Sequence, residues 1–257
     1  MATILPFSTL ADNISSKSDY KKALLDTCAL ISFSHDTNEF HDETLALFAI
    51  LKRAGVKIFS NVNIRSEFID YQRRIIVTEA LTAIGGQVKG IFKNTDLAKR
   101  IKAHVANVHK RAESGNPLVL NDSNIKQFKK LISISHGGIK NIWLNFCANN
   151  LAGRLEQTFD IVQDVLKLSY LSMRKGAMSP EVISEVTWDN MYSISEKTGL
   201  GVDDSMILNM FNSTDIPILV TTDFDLVYAS AIEQDTKLVF CPNRIYADFN
   251  DKFSKIL

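Results

Sequence analysis

Four acidic residues stand in apolar company, and the chemistry open to them is shared. Asp26 interrupts the apolar run "KKALLDTCALIS". Asp223 follows "ILVTT", with Asp225 two residues on. Asp204 carries Ile207, Leu208 and Phe211 at i+3, i+4 and i+7, hence on its own face if the segment is helical. Glu67 has Ile64 and Tyr71 on its face in the same way. Acids with such neighbours turn inward, where an unpaired charge is costly. Several carboxylates turned on one pocket raise one another's pKa unless a cation intervenes. Mg²⁺ or Mn²⁺ meets that need, since hard cations take oxygen ligands and bridge to phosphate. Asp26 lies in what reads as a strand, so helix capping does not account for it. Asp225 and Asp203 are better explained as ordinary turn or cap residues. Helical spacing does not decide which aspartate of "VDD" faces inward, because Asp203 has Met206, Ile207 and Met210 beside it.

These acids need elements to bring them together. Residues 22–31 read as a buried strand, and "TNEFHDETLALFAILKRAG" as a helix stopped by Gly55. "VKIFSN" is a second strand, followed by a helix from Val62 to Gly85–Gly86. This alternation predicts an α/β fold with a mainly parallel central sheet flanked by helices. It breaks over 81–180, which reads as an all-α insertion. Within it, 87–113 looks helical, Asp122 or Ser123 is placed to cap a further helix, and a long helical pattern runs from Ile139 to about Arg174. The alternation resumes at Pro180. A helix is expected with Ser179 as N-cap, Pro180 at its first position and Gly199 at its end. "VDDSMILNMFNST" predicts a helix, "IPILVTTD" a strand, "FDLVYASAIEQD" a short helix and "TKLVFCP" a closing strand. The expected organisation is therefore a discontinuous domain of 20–80 and 181–257, a basic helical insertion of 81–180, and a lead-in of 1–19.

Composition narrows the classes. The apolar fraction is 46% and the charged fraction 23%, as in ordinary globular proteins, and no apolar run is long enough to span a membrane. Three scattered cysteines, Cys28, Cys147 and Cys241, suit a reducing cytoplasm better than a disulfide framework or a structural zinc site. The formal net charge is zero, but residues 81–180 hold 15 Lys and Arg against 6 Asp and Glu. Such asymmetry points to a polyanionic partner, with Lys99, Arg100, Lys102, Lys110 and Arg111 as phosphate contacts. The simpler account is a helical segment wearing solvated lysines. Glu156, Asp160 and Asp164 share one helix face at i, i+4 spacing and read as a solvated or partner-facing stripe. No P-loop, GxGxxG, HExxH or GxSxG occurs, and the five histidines lack metal-pair spacing.

"LLDTCAL", "NIRSEF", "VDDSMIL" and "ILVTTDFDL", in that order, resemble the PIN-domain nucleases. That family includes toxin ribonucleases of toxin–antitoxin pairs and ribosomal-RNA-processing endonucleases. The likeness covers 20–80 and 180–243. Asp26, Thr27 and Leu30 match the family's first-strand motif, Glu67 its helical glutamate, and Asp204 to Leu208 its aspartate–small–aliphatic motif. Thr221, Thr222 and Asp223 match its T-x-D signature, with Asp225 as a second acid. The resemblance implies a PIN-like fold and a Mg²⁺- or Mn²⁺-dependent endoribonuclease. Asp26, Glu67, Asp204 and Asp223 would then be the catalytic and metal-holding residues, supported by Thr27, Thr222, Asp203 and Asp225. It also implies RNA as substrate, cleavage leaving 5′-phosphate and 3′-hydroxyl ends, a homodimer, and a small antitoxin-like inhibitor where the chain belongs to a toxin pair. Two departures stand out: Cys28 occupies a position where the family often has a small hydroxyl or amide residue, and the interval from Glu67 to Asp204 is long. Two other classes compete. One is a PIN-like nucleic-acid-binding or assembly module with little catalysis. The other is a phosphatase with Asp26 as nucleophile, which would want an acid where Cys28 stands.

Overall fold

Six short runs pair into one all-parallel sheet: β1 (Thr3–Pro6), β2 (Lys22–Leu25), β3 (Lys57–Ser60), β4 (Ser169–Tyr170), β5 (Ile218–Val220) and β6 (Leu238–Cys241), in the spatial order β1-β6-β5-β2-β3-β4. This computed structural model describes residues 2–16, 20–86, 119–135, 140–174, 176–233 and 237–252, with positions 99, 103, 106, 107 and 110. The α/β class with a parallel sheet flanked by helices is as expected, and is consistent with a PIN-like arrangement. A parallel sheet is covered on both faces, so its strands are apolar throughout. Accordingly Leu24, Leu25, Ile218, Leu219, Val220, Val239 and Phe240 are fully buried. The chain steps from β2 outward through β3 to β4, then returns to place β5 and β6 on the other side of β2. The strand order therefore reverses between β2 and β5, where the register sets Leu25 against Val220. In open α/β sheets, ligands bind beyond the carboxyl ends of the strands at such a reversal.

The helices are α1 (Leu10–Ser16), α2 (Thr27–Ser34), α3 (His41–Arg53), α4 (Val62–Gly86), α5 (Asp122–Ser135), α6 (Lys140–Leu151), α7 (Arg154–Leu166), α8 (Trp188–Thr198), α9 (Val202–Asn212), α10 (Phe224–Glu233) and α11 (Asn243–Lys252). None of the described helices is long and apolar enough to cross a membrane. The chain divides into two compact units. One holds residues 1–68 and 161–257 and contains the whole sheet. The other is Ile69–Asp160, which is helical in its described residues. Its core is Val77, Leu81, Leu120, Ile125, Phe128, Trp143 and Phe146, with the last two rings stacked at 5.2 Å. Arg73 ties α4 to α5 by donating to both Asp70 and Asp122.

Several expectations are corrected. The expected lead-in of 1–19 is corrected over residues 2–16, where β1 extends the sheet on β6, and Phe7, Leu10 and Ile14 are buried. The strand expected over 22–31 ends at Leu25, and α2 begins at Thr27. Asp26 therefore sits between the two, not inside a strand. The helical unit begins earlier and ends earlier than 81–180, because β4 pairs with β3 and draws residues 161–180 into the sheet unit. The long helix expected from Ile139 to Arg174 is two, α6 and α7, parted at Gly153, which adopts φ 73°. Asn121, not Asp122 or Ser123, caps α5 by accepting from the Asn124 amide at 2.9 Å. The helix expected from Pro180 starts only at Trp188, with Thr187 as the capping residue. Val182 instead bridges to Thr214, as suits a β-branched residue. α11 was not anticipated. The basic run 87–113 lies largely outside the described residues, as do Arg100, Lys102 and Arg111; Lys99 and Lys110 are helical and exposed.

Candidate functional site

β2 delivers Asp26 to the reversal point. Its amide donates to the Val220 carbonyl at 2.9 Å, continuing the β2–β5 ladder by one residue. Asp26 then occupies the N-cap position of α2 in an extended conformation, yet its side chain makes no capping bond. It turns to β5 instead, where Oδ2 accepts from the Thr221 hydroxyl at 2.8 Å. Oδ1 is buried and has no hydrogen-bond partner among the described residues. The residue is 1% exposed. Burial pushes its pKa up to about 7; the Thr221 bond opposes the shift, and the charges of Asp204, Asp223 and Glu67 add to it.

The other acids come within range of its charge from three further elements. Asp223 follows β5; its amide donates to Thr221 Oγ1 at 2.9 Å, and its Oδ1 accepts from the Leu226 amide at 3.0 Å, so it caps α10. Asp204 lies in the first turn of α9, whose apolar residues Ile207, Leu208 and Phe211 pack into the core. It is half-buried, and burial followed by Asp223, Glu67, Asp203 and Asp225 raises its pKa to about 6. Glu67, on α4, accepts from the Thr27 hydroxyl at 2.5 Å. Its pKa is raised by burial and by Asp203, against the lowering effect of the Thr27 bond. Asn61 holds the start of α4 by accepting from the Ile64 amide at 2.9 Å.

Asp26, Glu67, Asp204 and Asp223 thus lie within range of one another's charge. Among the described residues no ion pair reaches any of them. Asp203 and Asp225 are exposed neighbours that add negative field. Thr27 supports Glu67, while Thr222 meets the Ser32 hydroxyl at 3.1 Å. Cys28 faces the group, its Sγ 4.0 Å from Asp223 Oδ2. Burial and all four acids hold that thiol protonated well above the ordinary thiol range. The donor set is oxygen-rich and includes one orphaned buried oxygen, which suits a hard cation. Among the described residues, however, no three His, Cys, Asp or Glu side chains stand close enough to hold a metal ion as placed.

The role of Thr221 in holding Asp26 was not among the expected site residues. The hydroxyl accepts from Asp223 and donates to Asp26, so one side chain orients two acids. Thr221→Val should raise the Asp26 pKa further, because the opposing hydrogen bond is lost. Carboxyl-carbon NMR titration checks this, and an unchanged midpoint would mean that the bond does not form. A pocket of about 270 Å³ beside Asp223 and Thr222 was also unforeseen. Its cations are Arg244, paired with Glu39 at 2.6 Å, and Lys252, 5.7 Å from the centre of the Phe224 ring. The i, i+4, i+8 spacing of Arg244, Asp248 and Lys252 was the available sequence signal. Comparison of the chain with protein-family models, with curated proteins and with solved structures finds no match in any of the three.

Proposed function

We propose that the chain is a metal-dependent endoribonuclease of the PIN-like kind. The observation carrying this reading is the buried Asp26, one oxygen unpartnered, grouped with Glu67, Asp204 and Asp223 beyond the carboxyl ends of β2 and β5. Asp26, Asp204 and Asp223 would hold Mg²⁺ or Mn²⁺, with Glu67 as a further ligand directly or through water. Because the acids do not form a ready ligand sphere, binding requires their side chains to close in. Held there, such an ion would supply a more acidic water as nucleophile and offset charge on the phosphodiester. The chain's own part is positional. Thr221 fixes the carboxylate of Asp26, Thr27 that of Glu67, and the α10 amide that of Asp223. Burial keeps bulk water from Asp26.

RNA is the substrate this reading favours, with the basic 81–180 segment adding salt-sensitive phosphate contacts. A small inhibitor protein and a place in a toxin–antitoxin pair belong to the same reading. Asp204→Asn should reduce Mn²⁺-stimulated RNA cleavage by on the order of a hundredfold or more, since it removes one ligand charge without changing shape. Cleavage assays with purified protein read this out, and equal activity in wild type and variant would remove the mechanism. A second reading, a nucleic-acid-binding or assembly module, is favoured by the spread of the acids and by Cys28 among them. Metal-independent RNA binding without turnover would select it.

A further inference from the structure

A groove of about 410 Å³ lies in the sheet unit at the opposite end of the strands from the acids. Its floor is apolar, including Phe33, Phe48, Ile58 and Leu166. Among the described residues the charged ones lining it are lysines: Lys52, Lys57 and Lys167. Lys57 registers with Lys22 at the amino end of β3, whereas Asp26 and Asp223 follow the carboxyl ends of their strands. Lys57 reaches Glu181 at 3.4 Å, but among the described residues neither Lys52 nor Lys167 forms an ion pair. Two apolar residues of its wall are exposed, Leu45 at 41% and Val165 at 49%.

What would cover this groove must bring apolar side chains flanked by carboxylate. α7 carries that pattern on its outer surface. Ile161, 56% exposed, and Val165 stand one turn apart, and Asp164, last of the acidic row on this helix, lies beside them. Among the described residues Asp164 has no ion-pair partner. Val165 also belongs to the groove wall. A two-fold axis passing close to Val165 would let each α7 enter the other copy's groove, one patch serving both subunits, as an isologous interface requires.

We infer that the groove takes α7 of a second copy of this chain. Ile161 and Val165 of one copy lie on the apolar floor of the other, and Asp164 meets Lys52 across the axis. This surface contains none of the four clustered acids, so association leaves both acid sites open. The inference stands whether or not those acids cut RNA.

Sedimentation equilibrium on the full chain tests it, at low and high salt. Wild type should be dimeric at micromolar concentration. Ile161→Lys, an exposed change that leaves the fold intact, should weaken association by at least about tenfold by placing an ammonium among lysines. Lys52→Glu and Asp164→Lys should each weaken it, and the two together should restore it, a rescue that general destabilisation does not produce. A monomeric wild type overturns the proposal and leaves the groove to a foreign segment. A dimer indifferent to Ile161→Lys overturns it as well, since the interface would then lie elsewhere.

Discussion

Asp26→Asn should stabilise the metal-free protein at pH 8 while removing its response to divalent cations. The carboxyl is fully buried, and its pKa is raised from 3.8 to about 7. The folded state therefore holds this proton more tightly than the unfolded chain does. That contribution to stability is complete below about pH 4 and is lost as pH rises through about 7. At 1.36 kcal/mol per unit, the loss is on the order of 4 kcal/mol. Asparagine does not ionise, so the variant escapes the decline. Its carbonyl can still accept from Thr221, and its amide can donate toward the neighbouring acids. Urea denaturation in chelator at pH 4 and pH 8 should show near-equal stabilities at the lower pH and a more stable variant at the higher. Mn²⁺ should then stabilise wild type at pH 8 by mass action and leave the variant unmoved. Equal stabilities at pH 8 would mean that Asp26 is not an ionised group held away from water.

The second large effect falls earlier in the chain, on α1. Leu10→Ala should cost about 2–5 kcal/mol, the range for emptying a fully buried leucine site. Leu10 is 0% exposed, and Ile14 beside it on α1 is 3% exposed. With Phe7 they form the apolar face of the segment that follows β1. A shift of the urea midpoint with unchanged slope would report the loss cleanly. A change within about 0.5 kcal/mol, the size expected of a surface substitution, would mean that residues 2–16 do not pack as described. The contrast is sharp because composition alone makes residues 1–19 a peripheral lead-in.

That misjudgement has a physical origin. "ATILPF" is too short and too unpatterned to announce a strand, and it becomes one only because β6 offers an open edge. β4 is subtler still: two residues, one of them an exposed tyrosine, count as a strand solely through pairing with β3. Local periodicity contains neither fact, since backbone pairing joins residues far apart in sequence. The same holds for 161–180, which wears a helical pattern but is drawn into the sheet unit.

The chain's own order of residues determined a good deal. Period and punctuation carried α3, α4, α9 and α10 and the strands β3, β5 and β6, because these elements are long or strongly apolar and end at clear stops such as Gly55, whereas the apolar run that opens with β2 continues into α2 without one. The candidates Asp26, Glu67, Asp204 and Asp223 were legible too, as acids set among apolar neighbours. Only the tertiary structure decided that they fall within range of one another's charge, and the strand reversal between β2 and β5 accounts for Asp26 and Asp223 alone. It alone showed Asp26 leaving its cap unmade to bind Thr221, and one of its oxygens left bare. A charge's partners depend on distances across the fold, and no spacing along the chain encodes them.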